Sequence, residues 1–169
     1  MEPVEEVRLL VLAAQREGNR ALASELRPLG LTPSQGEVLR LLAERQPLSL
    51  SGLGALLVCE SGSNPSRLVD RLVTAGFVHR EVDAHDRRHV ELTLTDAGRH
   101  AAESVALAEG RLHAWIAEAA TGHDLEQARE FLRALVTGRG AGNAVALQAA
   151  TATNTDPATN PKPPHRPGH

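Results

Sequence analysis

The chain has 169 residues, enough for one domain with a substantial core and cramped for two. A formal net charge of −3 rules out binding to nucleic acid by bulk attraction alone, although a dimer can still present small basic patches on one face. A single cysteine, Cys59, excludes an intramolecular disulfide framework, and the acidic, charge-interrupted opening "MEPVEEVRLL" reads as neither signal peptide nor membrane span, so the expected location is cytoplasmic. Apolar residues are mostly Leu, Ala and Val, with no Tyr, one Trp (Trp115) and two Phe (Phe77, Phe131). That composition suits helices packed through aliphatic ridges, and the predicted fold is mainly α. Lys162 is the only lysine; a GC-rich coding bias explains most of the arginine, which also suits phosphate and base-edge contacts.

Val4, Val7, Leu10, Val11, Ala14, Ala21, Leu22 and Leu26 follow helical spacing and predict a long first helix, with Gly18 and Asn19 as a weak point. In "LTPSQGEVLRLLAE" Thr32 stands as N-cap, Pro33 at the first helical position and Gln35 at the third, a capping box that opens a second helix running to about Glu44. Pro47 breaks that pattern, and Ser49 can cap a short third helix with Leu50, Leu53, Leu56 and Leu57 inward. Next comes "CESGSNPSRLVDRLVTAGF". Ser61, Ser63 and Asn64 are candidate caps, Pro65 fits a first turn, and Leu68, Val69, Leu72 and Val73 form a stripe that ends at Gly76. The outer face of this fourth helix shows Ser66, Arg67, Asp70, Arg71 and Thr74.

Val90, Leu92 and Leu94 alternate with His89, Glu91 and Thr93, a strand with one buried face, and Val78 and Val82 give a shorter, rougher copy. The two read as a β-hairpin whose tip, Asp83 to Arg88, carries a dense knot of charge. Thr95 caps a fifth, long helix containing Ala101, Val105, Ala108, Leu112, Trp115, Ile116 and Ala119. Gly122 breaks it, and Leu125, Ala128, Phe131, Leu132, Leu135 and Val136 mark a sixth. From Gly138 onward the composition shifts to Gly, Ala, Thr, Asn and Pro without a periodic apolar face, which predicts a disordered tail over 138–169; "NAVALQAA" admits a transient helical turn or two.

Two helices joined by a tight Ser/Gly turn and followed directly by a hairpin are the parts of a winged helix-turn-helix. A helix fits the major groove of B-DNA, and a narrow hairpin tip can follow the minor groove or the phosphates. Small polar residues at the helix start, Ser61, Ser63, Asn64 and Ser66, allow close approach, and Arg67 and Arg71 add charge. Residues 61–99 hold as many arginines as carboxylates, so affinity must come from placed contacts and dimerisation.

"DAHDRRHVELTLTDAG" resembles the wing signature of the multiple-antibiotic-resistance regulator (MarR) family, with Asp83, Asp86, Arg88, Leu94, Thr95 and Gly98 in register. "SRLVDRLVTAGFVHR" is similar to the second half of that family's recognition helix, and "LTPSQGEVLRLL" to its second helix. The resemblance covers about residues 4 to 137. It departs at His85, which replaces the first wing arginine and makes a contact there weaker and pH-dependent, and in "VCESGSNPS", about one residue longer than usual. What it implies is a winged helix-turn-helix domain over 1–137, with a DNA-binding part at 30–98 and dimerisation helices at 1–29 and 99–137. Arg88 would enter the minor groove, held by Asp86, beside His85 and Arg87. The implied protein is a homodimer that binds a pseudo-palindromic double-stranded operator, a repressor released by a small lipophilic or phenolic effector.

Rival readings keep the fold and change the trigger or the target. Cys59 as an oxidation sensor competes with Cys59 as a small buried hydrophobe, and the histidines His79, His85, His89, His100, His113 and His123 raise metal sensing without a Cys/His pair at zinc spacing. A winged-helix protein-interaction module without DNA binding is a third possibility. No G-x-S-x-G, P-loop, H-E-x-x-H or dinucleotide fingerprint occurs, so neither enzyme activity nor a cofactor or structural metal is expected.

Overall fold

The structure, a computed structural model, describes residues 1–58, 64–82 and 90–152, with the backbone alone at Thr151 and Ala152. Helix α1 (Pro3–Leu26) opens with proline in its first turn and with Glu5 and Glu6 against the positive end of the helix dipole. It runs through Gly18 and Asn19 without interruption, and of its residues only Leu26 is buried. After a 3₁₀ turn at Arg27–Leu29, α2 (Pro33–Arg45) begins with the expected capping box: the Gln35 amide donates to Thr32 Oγ1 at 3.3 Å, and the Thr32 amide donates to Gln35 Oε1 at 2.9 Å. Strand β1 (Leu48–Ser49) leads into α3 (Leu50–Leu56), capped by Ser49, whose Oγ accepts from Gly52 N at 3.0 Å. Then follow α4 (Pro65–Thr74), β2 (Val78–Val82), β3 (Val90–Leu94), α5 (Asp96–Ala119), α6 (Leu125–Val136) and α7 (Gly140–Ala152).

The three strands form an antiparallel sheet in the order β1-β3-β2. Leu48 pairs with Leu92, and β2 meets β3 in register from Val78 opposite Leu94 to Val82 opposite Val90. A two-residue strand such as β1 is too short to show a period, and it was not anticipated. Leu92 and Leu94 are buried and Val90 is half-buried, as the alternation requires, but on β2 only Val78 is buried; Val82 is 50% exposed. The core is a leucine-rich wedge between α2, α4, the sheet and the first half of α5, centred on Val38, Leu39, Leu42, Leu53, Leu72 and Leu92. Each of those side chains is fully buried, which at about 1.5–3 kcal/mol apiece is what holds the small sheet to the helices.

One corner ties α4, the sheet and α5 together. Gly76, at φ 78°, ends α4 in the left-handed conformation that glycine adopts at no steric cost. Thr95 then caps α5 by accepting from Gly98 N at 3.0 Å, while its own hydroxyl donates to the Gly76 carbonyl at 2.7 Å. A Cβ on Gly98 would collide with the Phe77 carbonyl oxygen. The Leu94-Thr95-x-x-Gly98 pattern is therefore a packing requirement: it lets α5 start directly on the backbone at the end of α4.

The chain beyond Gly138 departs from expectation. Residues 140–152 form α7, which packs on α3 and α6 and buries Ala144, so the disordered tail does not begin at 138. Two things explain the helix. Alanine has the highest helix propensity, and the segment is held by side-chain hydrogen bonds from Gln148 to α2 and α3. The expectation for 153–169 lies outside the described residues.

Candidate nucleic-acid interface

The interface is built on α4 and the hairpin that follows it. Asn64 is the N-cap of α4: its Oδ1 accepts from Ser66 N at 3.0 Å. Leu68, Val69 and Leu72 are buried against the core, which turns the opposite face outward. That face carries Arg67, Asp70 and Arg71, all exposed, with Ser66 half-buried at the start. Val73, expected in the inner stripe, lies 36% exposed at its margin.

Asp70 does not pair with its helical neighbours. It binds Arg80 on β2, Nη1 to Oδ1 at 3.0 Å, and so links α4 to the hairpin. Arg67 and Arg71 form no ion pair with any described carboxylate, which leaves two guanidinium groups, four residues apart, on one outward helix face. Arg80 was not singled out in the sequence. The signal available was an acidic residue on the outer face of a helix and a basic one just beyond the turn at Gly76, close enough to meet across the corner.

Of the other expected contact residues, Ser61 and Ser63 precede α4 and His85, Asp86, Arg87 and Arg88 belong to the hairpin tip; all six lie outside the described residues, as does Cys59. The strands that present the tip are described. β3 is anchored at its base by Gln46, whose Oε1 accepts from Leu94 N at 2.7 Å, and by Arg99, whose Nη1 donates to the Leu94 carbonyl at 2.9 Å. The wing therefore projects from a braced base beside α4.

Behind the interface, α2 is joined to α5 by Arg40, whose Nε lies 3.3 Å from Glu109 Oε1, while its Nη1 binds Glu44 at 3.0 Å. Burial pushes the Glu109 carboxyl above its ordinary value, and Arg40 and His113 pull in the opposite direction. α1 and α5 are joined at the surface by Glu25 and Arg111 at 2.5 Å. Among the described residues no cluster of three or more His, Cys, Asp or Glu could hold a metal ion, and no helix is long and apolar enough to cross a membrane.

Several apolar side chains on α1, α5 and α6 face solvent in the single chain. Leu10, Leu107, Ile116, Phe131 and Leu132 are each about half exposed or more, and α6 buries none of its residues despite a clear apolar stripe. Monomeric soluble proteins rarely leave contiguous apolar faces of this extent in water.

Comparison with known proteins agrees with this geometry. Residues 31–90 match the model of the MarR family. Over 89 residues the chain is 39% identical to the HTH-type transcriptional regulator TtmR of Methylorubrum extorquens, covering 53% of this chain and 45% of that protein. Over 69 residues it is 41% identical to YkoM of Bacillus subtilis, described as an uncharacterized HTH-type transcriptional regulator, covering 41% of this chain and 44% of the relative. The chain thus spans less than half the length of these curated relatives, each described as an HTH-type transcriptional regulator. Among solved structures, a mutant MarR from E. coli complexed with operator DNA superposes with a TM-score of 0.63 at 25% identity, over 81% of this chain and 99% of that one. A probable transcriptional regulator from Pseudomonas aeruginosa gives 0.58 at 28% identity, over 77% of this chain and 93% of that one.

Proposed function

We propose that this chain, a MarR-family protein through its residues 31–90 and its winged helix-turn-helix fold, is a homodimeric transcription regulator that binds double-stranded DNA sequence-specifically. The observation that carries the reading is the outward face of α4, where Arg67 and Arg71 stand without described ion-pair partners on a helix braced to the wing by Asp70 and Arg80. Such a face enters a major groove with its N-terminal residues toward the base edges, Asn64 and Ser66 foremost, together with Ser61 and Ser63. The wing tip supplies Arg88, held by Asp86 and flanked by His85 and Arg87, to the neighbouring minor groove.

The apolar faces of α1, α5 and α6 support the dimer, because a second copy is the occupant that would remove them from water. Two-fold symmetry then calls for two half-sites about one DNA turn, or roughly 34 Å, apart. The finer reading is a repressor released by a small lipophilic or phenolic molecule. It is supported by the family resemblance and by a cleft of about 360 Å³ between α1 and α5, lined by Leu22, Ala108, Leu112 and Trp115 with Arg111 at its edge.

Selection of duplexes from a random pool tests the reading. The expected result is an inverted repeat whose half-sites lie about one helical turn apart, bound by wild type and lost when Arg67 and Arg71 are both replaced by alanine. Recovery of no preferred sequence would contradict it. Addition of phenolic compounds to the selected complex, with DNA release as the expected outcome, tests the effector.

A further inference from the structure

Helix α7 is tied to α2 and α3 by hydrogen bonds at Gln148. Gln148 Nε2 donates to the carbonyl of Leu56, the last residue of α3, at 2.7 Å, and to Glu37 Oε1 at 3.4 Å. Gln148 Oε1 accepts from Arg40 Nη2 at 3.0 Å, and its backbone carbonyl accepts from Arg45 Nη2 at 2.8 Å. Glu37 Oε1 in turn accepts from Val58 N at 2.8 Å, and Val58 is the last described residue before the connection to α4.

These bonds converge on one place. The last turn of a helix leaves carbonyls without intrahelical partners, and here one of them is satisfied by a side chain 92 residues further along the chain. Glu37 is buried on α2 and fixes the first backbone step out of α3. Arg40, which holds the other end of the Gln148 amide, is also the residue that meets Glu109 on α5. The exit of α3 is therefore referenced both to α7 and, through Arg40, to the long helix α5. Arg45 Nη1 is buried without a hydrogen-bond partner among the described residues, so the order of this network rests on the bonds of Gln148, Glu37 and Arg40.

We propose that Gln148 is a positioning residue for DNA recognition: by capping the end of α3 and bracing Glu37 it sets the end of α3, against which α4 packs, and so the approach of the recognition helix to the groove. The proposal rests on the reading of α4 as the DNA-contacting helix. Direct readout depends on hydrogen-bond geometry that weakens steeply with misalignment, so a small change in the exit of α3 costs specific contacts. Ala144 is the buried hydrophobic residue of α7 among the described side chains, and it packs without hydrogen-bond geometry of its own.

The test uses the full chain and a duplex selected by the wild type from a random pool, read by fluorescence anisotropy, with amide hydrogen exchange of residues 50–58 measured without DNA. Gln148→Leu removes both amide groups at similar volume. Gln148→Glu keeps an acceptor for Arg40, loses the donor to Leu56 and sets a carboxylate against Glu37. Adding Glu37→Gln to it restores a donor–acceptor pair between the two side chains.

The expected result is about three- to tenfold weaker binding by each single variant, with dimer and helix content unchanged and faster exchange at the end of α3; the double variant regains the part of the affinity lost to the two facing carboxylates, while exchange at the end of α3 stays fast because the Leu56 carbonyl is still uncapped. Unchanged affinity or unchanged exchange in Gln148→Leu, or exchange at the end of α3 restored in the double variant, overturns the proposal. If Gln148→Leu loses helix content, the comparison of Gln148→Glu with the double variant decides. If the wild type selects no duplex, the DNA-binding reading fails by itself, and the exchange rates decide the latch: faster exchange supports it, unchanged exchange overturns it.

Discussion

Single residues carry the sharpest requirements. Gly98 sits where any Cβ would strike the Phe77 carbonyl oxygen, so Gly98→Ala must push α5 off the end of α4. The expected cost is about 1–3 kcal/mol, measured by urea unfolding, with a larger share of the damage at the wing base than elsewhere. Asp70 and Arg80 pair at 3.0 Å but both are substantially exposed, so Arg80→Ala should change stability by less than about 1 kcal/mol. Its effect belongs instead in DNA affinity, since the pair orients the hairpin against α4. Much at this scale is legible in the sequence, because a cap is a local chemical event: Thr32, Ser49 and Thr95 accept the backbone amides that their positions predict. Asn64, one of three candidate caps, caps α4, while Ser61 and Ser63 lie outside the described residues. The bonds of Arg40 to Glu109 and of Gln148 to α2 and α3 were not legible, because those partners lie far along the chain on other elements and side-chain spacing says nothing about them.

At the scale of elements, the helices with one apolar face and a cap were readable and α7 was not. Its apolar residues are mostly alanine and do not follow one face, so no period marks it, and its stability comes from propensity together with the docking of Gln148. β1 escaped for the opposite reason: two residues carry no period at all, and their pairing with Leu92 and Glu91 is dictated from outside. The junction of α2 with α5 is where pH should act. Glu109 is 18% exposed beside Arg40, and burial raises its carboxyl above the ordinary value despite that cation. A carboxyl whose pKa is higher in the folded state favours folding most when protonated. Its contribution is present below the ordinary carboxylate range and is lost as pH rises through the raised value. The prediction is that stability falls slightly over that window, and that Glu109→Gln, read by thermal unfolding across pH, removes the slope and is at least as stable as wild type at neutral pH. A slope unchanged by the substitution would remove Glu109 from this role.

The whole molecule combines a leucine-rich core with helices whose apolar side chains stay in water. The fold class, the order of α1 to α6 with the hairpin between α4 and α5, and the winged helix-turn-helix were legible because α4 and the hairpin are adjacent in sequence and each carries its own period. The helices of 1–29 and 99–137 were legible by their period; which of their apolar residues stay in water became clear when α6 proved to bury none of its own. Phe131 and Leu132 lie half exposed on that helix. If they line a two-fold interface, Leu132→Asp should shift the protein to monomer in sedimentation equilibrium at micromolar concentration, with the core around Leu39 and Leu92 still folded, and should weaken DNA binding because two half-sites are no longer read together. Charge acts at the same scale. With arginines and carboxylates balanced over residues 61–99, binding should show a salt slope set by a few placed contacts, each worth about −0.9 in the logarithmic plot, rather than by the field of the whole molecule.

The most direct test of the account measures binding of the selected duplex by wild type and by Arg88→Ala and Arg71→Ala across a series of salt concentrations, using fluorescence anisotropy. The account predicts tight wild-type binding that weakens with salt, about tenfold weaker binding for each substitution, and a salt slope reduced by about one contact wherever the lost arginine met a phosphate. Equal affinities and equal slopes for all three proteins would contradict the assignment of α4 and the wing as the surface that reads DNA.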